Sequence, residues 1–243
     1  MRQTTAYSNY KGLLTQFRHE GGRSGTYTLN YTLSRSQTTS TNDRDAADFP
    51  QNPRDLDREY ADARTDRRHI FNATYIIELP FYKDANAVLK AALGGWQFSG
   101  YTTLQSGPPV SRILQSTNAG RRGSFADQVG DPKAGQMDFP YWFDPAAFQP
   151  SADGTYGNSR RAIFRLPGRN QTDLALSKNF YPMDKRMQFR ADFLNAFNHT
   201  QWLAVDNACA VSTATCVVAG DTFGTITSTR NPREIQLSIK LFW

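Results

Sequence analysis

Six stretches of this chain alternate apolar and polar side chains with a period of two, the spacing of a β-strand with two unlike faces. In "TYTLNYTLS" (26–34), Tyr27, Leu29, Tyr31 and Leu33 share one face, and Thr26, Thr28, Asn30 and Thr32 the other. "IFNATYIIELPF" (70–81) sets Phe71, Ala73, Tyr75, Ile77, Leu79 and Phe81 against Asn72, Thr74 and Glu78. "WQFSGYTTLQ" (96–105), "DLALSKNF" (173–180), "MQFRADFLNAF" (187–197) and "IQLSIKLFW" (235–243) repeat the pattern, and a weaker run opens the chain at 7–19. The spacing predicts seven strands, near 7–19, 26–36, 69–81, 95–106, 171–180, 186–198 and 233–243.

The connections constrain the fold as strongly as the strands. They run short, long, medium, very long, tight, long: 20–25, 37–68, 82–95, 107–169, 181–185 and 199–232. In an up-and-down sheet every long connection then falls at one end. Compact soluble domains rarely carry several loops of that length. Transmembrane barrels do, with short turns on one side of the membrane and long loops on the other. The strand lengths suit the about 9–11 residues of a tilted transmembrane strand. Alternation alone does not separate a sandwich, whose polar face meets bulk water, from a barrel, whose polar face meets a lumen. Strand length, loop asymmetry and aromatics near strand ends (Phe81, Trp96, Phe180, Tyr181, Trp243) favour the barrel. The expected fold is all-β, an antiparallel up-and-down transmembrane barrel segment with long outer loops. Lys178 falls on the apolar side and is expected to snorkel to the membrane surface.

Composition agrees. Aromatic residues make up 13% of the chain, which favours strands. No apolar run reaches the roughly 18 residues of a membrane helix, and mean hydropathy is −0.60. Net charge is +6, but Arg and Asp alternate in "RDLDREYADARTDRR" (54–68), which reads as a solvated mixed-charge loop. Nucleic-acid binding would need a clustered patch, and none is expected. A tighter basic group, Arg160, Arg161, Arg165 and Arg169, offers contact with lipid phosphate or a ligand carboxylate.

Catalytic patterns are lacking: there is no GxSxG, HExxH, P-loop or GxGxxG. "SNYK" (8–11) matches Ser-x-x-Lys without its companion motifs. His19, His69 and His199 are scattered. The carboxylates Asp43, Asp45 and Asp48 lack the glycine turn of a calcium loop. No enzyme activity, cofactor or metal is expected. "YWFDPAAF" (141–148) is an aromatic cluster that suits either packing within its loop or stacking on a ligand, so Tyr141, Trp142, Phe143, Arg160 and Arg161 are candidate loop contacts. Cys209 and Cys216 suit a small disulfide-closed loop or two free thiols equally well.

"GTYGNSRRAIFRLPGRNQTDLALSKNF", "RMQFRADFLNAFNHTQW" and "FGTITSTRNPREIQLSIKLFW", with "RRHIFNATYIIELPF" and "GGWQFSGYTTLQSGPPV", resemble the C-terminal part of TonB-dependent outer-membrane receptor barrels, chiefly the Oar-like group with a carboxypeptidase-regulatory-like N-terminal domain. The resemblance runs from about Tyr10 to Trp243. It implies a place in the outer membrane of a Gram-negative bacterium, contact with outer-membrane lipid, and ligand uptake driven by TonB in the full-length receptor. Such barrels have about 22 strands and a plugged lumen. About seven strands, with no recognisable signal peptide, plug domain or TonB-contacting segment, imply a fragment that does not transport alone and that pairs with the remainder of its barrel. An open meander with two free edges is expected. Alternatives are a non-transporting, adhesin-like outer-membrane barrel and a soluble β-sandwich that binds carbohydrate.

Under the resemblance the C-terminus lies in the periplasm, "YPMDK" (181–185) is a periplasmic turn, and 107–169 and the two cysteines are extracellular. Ile235, Leu237, Ile239, Leu241 and Trp243 form a lipid-facing row. A terminal aromatic on such a row is similar to the signal read by the outer-membrane assembly machinery.

Overall fold

The computed structural model describes residues 6–21, 25–40, 50–79, 94–110, 112–115, 125–134, 138–181, 185–209, 215–216 and 220–242 of the chain. Seven long strands carry the fold: β1 (Ser8–His19), β2 (Thr26–Thr38), β3 (His69–Glu78), β4 (Trp96–Gln105), β5 (Arg169–Phe180), β6 (Arg186–Leu194) and β7 (Glu234–Phe242). Each is hydrogen-bonded to the next in sequence order, antiparallel throughout, and a two-residue strand, Ala61–Asp62, extends the end of β2. The sheet is not closed. Among the described residues β1 pairs only with β2, and β7 only with β6. Among the described residues the other sheets are pairs of short strands, and none makes a sandwich with it.

The register turns the alternation within each strand into two continuous faces. Ile77, Phe98, Leu176, Ala191 and Leu237 lie side by side across five strands. One residue over, on the opposite face, stand Glu78, Gln97, Ser177, Arg190 and Ser238. A second polar row runs Gln16, Asn30, Asn72, Thr103 and Gln171. It is knit by side chains: Gln16 Nε2 donates to Asn30 Oδ1 at 2.9 Å, and the Thr103 and Tyr101 hydroxyls both donate to Asn72 Oδ1. Arg190 forks onto Asp192 two residues on.

At the β7 edge the apolar face is open among the described residues. Leu237 and Ile239 are 67% and 66% exposed, as open as surface lysines would be. A contiguous apolar face of this extent has no place in water, whereas against hydrocarbon it carries no penalty. Gly100 belongs to this face because a Cβ there would lie 2.6 Å from the Tyr75 ring. The Tyr75 ring crosses the gap and stacks on Phe98. Such aromatic cover over a strand glycine restores the packing the glycine lacks.

Three local expectations are corrected. Lys178 does not reach the surface: it is 3% exposed, with its Nζ 5.4 Å from the Trp96 ring centre and 5.0 Å from that of Phe180. Its cross-strand neighbours are Trp96 and Phe189, so aromatic faces rather than headgroups receive the ammonium. β6 stops at Leu194, because Asn195 turns left-handed (φ 48°) and its side chain closes onto His199. Phe197 therefore sits in a turn, 75% exposed, and not on the strand's apolar face. The 54–68 segment is not a solvated loop, as the buried carboxylates described below show. Phe81, the 82–93 part of the medium connection, Asp43, Asp45, Asp48 and Trp243 lie outside the described residues.

Candidate functional site

The three long connections meet at one end of the sheet, and there they fold. The hydrophobic core of the molecule lies in this cap and not beneath the strands: Val110, Ile113, Phe143, Phe148, Phe164 and Phe223 all come from connections. Phe143 is the hub. It is fully buried and packs edge-on to Phe148 and Phe223, with Phe164 4.8 Å away. Asp144 caps the short helical turn Pro145–Ala147 that follows, its carboxylate accepting from Ala146 N. Short strands tie the cap: Trp202–Val205 pairs with Ile226–Thr229, and Asp127–Gln128 with Phe148–Gln149. Cys209 and Cys216 are joined in a disulfide. Gly107 and Gly157 allow backbones to touch, since a Cβ at either would fall within 2 Å of a carbonyl oxygen.

The 39–68 connection docks onto this cap through charges. The Asp66 side chain is fully buried and accepts from Ser36 N at 2.6 Å and from Arg165 Nη2 at 2.5 Å. Asp62 receives Arg35, Arg68 and Arg165. Glu59, 1% exposed, accepts from Gln51 N and lies 3.7 Å from Arg161, which also donates to Thr39 O. The pairs made by Arg161 and Arg165 join segments about a hundred residues apart in sequence, such as Asp66 and Arg165. Tyr7 OH donates to Asp57, and this bond, followed by burial, holds the phenol's pKa above its ordinary value. Lys133 Nζ donates to Trp142 O and sits 4.4 Å over the Trp142 ring, and burial holds its amine below the ordinary lysine range.

Between cap and sheet, on the polar face, lies a cavity of about 390 Å³. Arg169 and Gln171 of β5, Asn195, and Arg230, Asn231 and Glu234 at the start of β7 line it. Arg169 is held by Gln171, whose Oε1 accepts from Nε at 3.1 Å and from Nη2 at 2.6 Å. Gln171 in turn donates to Asp173, which also takes the N–H of Asn195. A second cavity, of about 490 Å³, opens beside Asn170, Thr172, Phe197 and His199. Gln201 closes its edge by bonding both N–H and C=O of Asn170, so that a side chain continues the ladder beyond β5.

The residues singled out in the sequence are spread across this end. Phe143 and Arg161 are internal, one in the aromatic core and one on the Glu59 carboxylate. Trp142 donates its indole N–H to Arg165 O and packs edge-on to Trp202. Tyr141 and Arg160 face outward. Ile235, Leu237, Ile239 and Leu241 stand in one row on the free strand β7. Of the basic group only Arg169 reaches the cavity. Its position two residues before Gln171 on the polar face follows from strand alternation, whereas the approach of Arg230 and Glu234 depends on how the 195–233 connection closes. Among the described residues no group of three His, Cys, Asp or Glu stands ready to hold a metal.

No curated protein and no solved structure matches the chain. The family model for an outer membrane beta barrel domain matches residues 1–236, nearly its whole length. With its uncovered apolar face, its polar opposite face and its strand-only span, the chain belongs to the outer-membrane β-barrel domain family and is an outer-membrane protein that meets lipid along that face.

Proposed function

We propose that the chain is the C-terminal barrel segment of a TonB-dependent, Oar-like receptor in a Gram-negative outer membrane. The observation that supports this is the open meander: two edges unpaired among the described residues, a polar face, and a folded cap with a cavity between it and that face. In this reading further strands of the same receptor pair with β1 and β7 and a plug fills the lumen. The chain contributes part of the ligand vestibule, and TonB acts on the assembled receptor. The β7 row Ile235, Leu237, Ile239 and Leu241, with the terminal Trp243 of the sequence, engages the assembly machinery. The barrel has no enzymatic step.

The test is uptake in the native bacterium. Solutes cleared from the medium are profiled in the parent, in a strain lacking the region that encodes this chain, and in a strain lacking TonB. The proposal expects at least one solute to be cleared by the parent and left by both mutants. Unchanged clearance in the first mutant refutes uptake and leaves the adhesin-like reading. That reading has its own support in Phe139, 73% exposed yet stacked on Trp202, a rigid outward aromatic.

A further inference from the structure

Two guanidiniums of the mouth cavity, those of Arg169 and Arg230, form no ion pair among the described residues. Among those residues the Arg169 guanidinium bonds to Gln171 alone, through an amide oxygen that carries no charge. Arg230 uses its backbone N–H on Gln201 O, and its exposed guanidinium meets no carboxylate among the described residues. Nearby, Arg67 rests on the carbonyls of Arg64 and Asp66. Burial, and then the charges of Arg165 and Arg230, hold its pKa below the ordinary arginine value against the pull of Asp66. Three arginines of the cap do meet carboxylates: Arg165 on Asp62 and Asp66, Arg161 on Glu59, Arg68 on Asp62. A guanidinium presents paired N–H donors that match the oxygens of a carboxylate or phosphate, and one already held by a neighbour loses less freedom on binding.

We propose that this cavity is a binding site for an anionic solute, whose carboxylate or phosphate oxygens bridge Arg169 and Arg230. Gln171 fixes Arg169 for the task, and Asn231 supplies a further polar contact. Glu234, on the same wall, sets an upper limit on ligand charge. Among the described residues its side chain makes one long bond, 3.4 Å from Asn231 Nδ2, so its carboxylate repels a second anionic group placed near it. The volume, about 390 Å³, suits a solute the size of a tricarboxylate or a diphosphate. The proposal deepens the receptor reading by naming a ligand class for its vestibule, and rests on that reading only for biological purpose.

The test is equilibrium binding to the full chain refolded in detergent, which requires neither TonB nor uptake. Citrate and pyrophosphate are titrated calorimetrically, with sucrose as the neutral control. Saturable binding of citrate, pyrophosphate or both is expected, weakening with added salt. Arg230→Gln is expected to weaken it about tenfold, as is Arg169→Gln. Arg54→Gln, on the exposed part of the second connection and outside the cavity, leaves it unchanged. Glu234→Gln tightens it a few-fold, an effect of opposite sign that general damage to the fold does not produce. Preference for citrate or pyrophosphate identifies the oxygen-bearing group. Absence of saturable anion binding to folded protein overturns the proposal, as does binding indifferent to Arg230→Gln. Binding without TonB-dependent uptake would refute the transport reading and leave this site standing.

Discussion

Replacing Phe143 with alanine separates the two halves of this molecule energetically. Phe143 is fully buried and touches three other phenylalanine rings, at 4.8 to 5.6 Å between centres. Truncating a buried phenylalanine costs about 3–5 kcal/mol, a transfer loss plus the cavity left behind. The lost edge-on aromatic pairs lie within that figure. None of this energy belongs to the spanning strands, because no residue of β1–β7 enters the aromatic core. The cap should therefore open as its own cooperative unit. Hydrogen exchange on protein in lipid vesicles reads this directly. Amides such as Val110, Ala126 and Ile226, bonded within the cap, are expected to lose roughly two to four orders of magnitude of protection, at about 1.4 kcal/mol per tenfold. Amides of β3 to β6 are expected to keep theirs. Equal loss in strands and cap would refute the idea that the cap has a separate core. No loss in the cap would refute the hub role of Phe143.

Three further outcomes follow from the same geometry. Ile239→Arg, near the middle of β7 on the lipid face, should cost about 2–4 kcal/mol in urea-titrated folding into vesicles, whereas Ser238→Arg on the polar face should cost under about 1 kcal/mol. Asp66→Asn should release the 39–68 connection. Breaking a buried pair costs about 3–5 kcal/mol, and because Arg165 keeps Asp62 the lower figure applies. Trypsin is expected to cut faster at Arg64, Arg67 and Arg68. Tyr7 gives a pH signature: its folded pKa is raised above the ordinary value near 10 by the bond to Asp57. The stabilisation is present below the unfolded pKa and fades as pH rises through the folded one. An ultraviolet titration should show one tyrosine ionising late, and Tyr7→Phe should remove it.

The sheet was readable because membrane strands write their faces into the chain twice over. Leu237 and Gln236 differ in kind because one meets lipid and the other a lumen, so period two yields the strand and its orientation. The open meander, its order and its long-loop end follow from that pattern and from the spacing of connections. The cap has no such period. Phe143, Phe164 and Phe223 come from three separate places and are joined by tertiary contact alone, so each reads singly as a loop aromatic. The Arg–Asp run at 54–68 reads as solvated for a related reason: local sequence shows mixed charge, and only the arrival of Arg165 and Arg161 shows that Asp66 and Glu59 are buried. Lys178 was misjudged by treating the strand in isolation. One of the two rings beneath its ammonium, Trp96, belongs to a neighbouring strand, and Phe189 stands beside it on the other. The mouth cavity was half legible, through Arg169, and half dependent on loop closure, through Arg230 and Glu234.

The central claim is that one face of this sheet meets lipid and the other an aqueous lumen. Single cysteines placed in turn from 235 to 241, with Cys209 and Cys216 left in their disulfide, carry an environment-sensitive fluorophore in vesicles containing brominated lipid. Quenching by lipid is predicted at Ile235, Leu237, Ile239 and Leu241, and quenching by aqueous iodide at Gln236, Ser238 and Lys240. Uniform quenching along the strand, or the opposite alternation, would contradict the account.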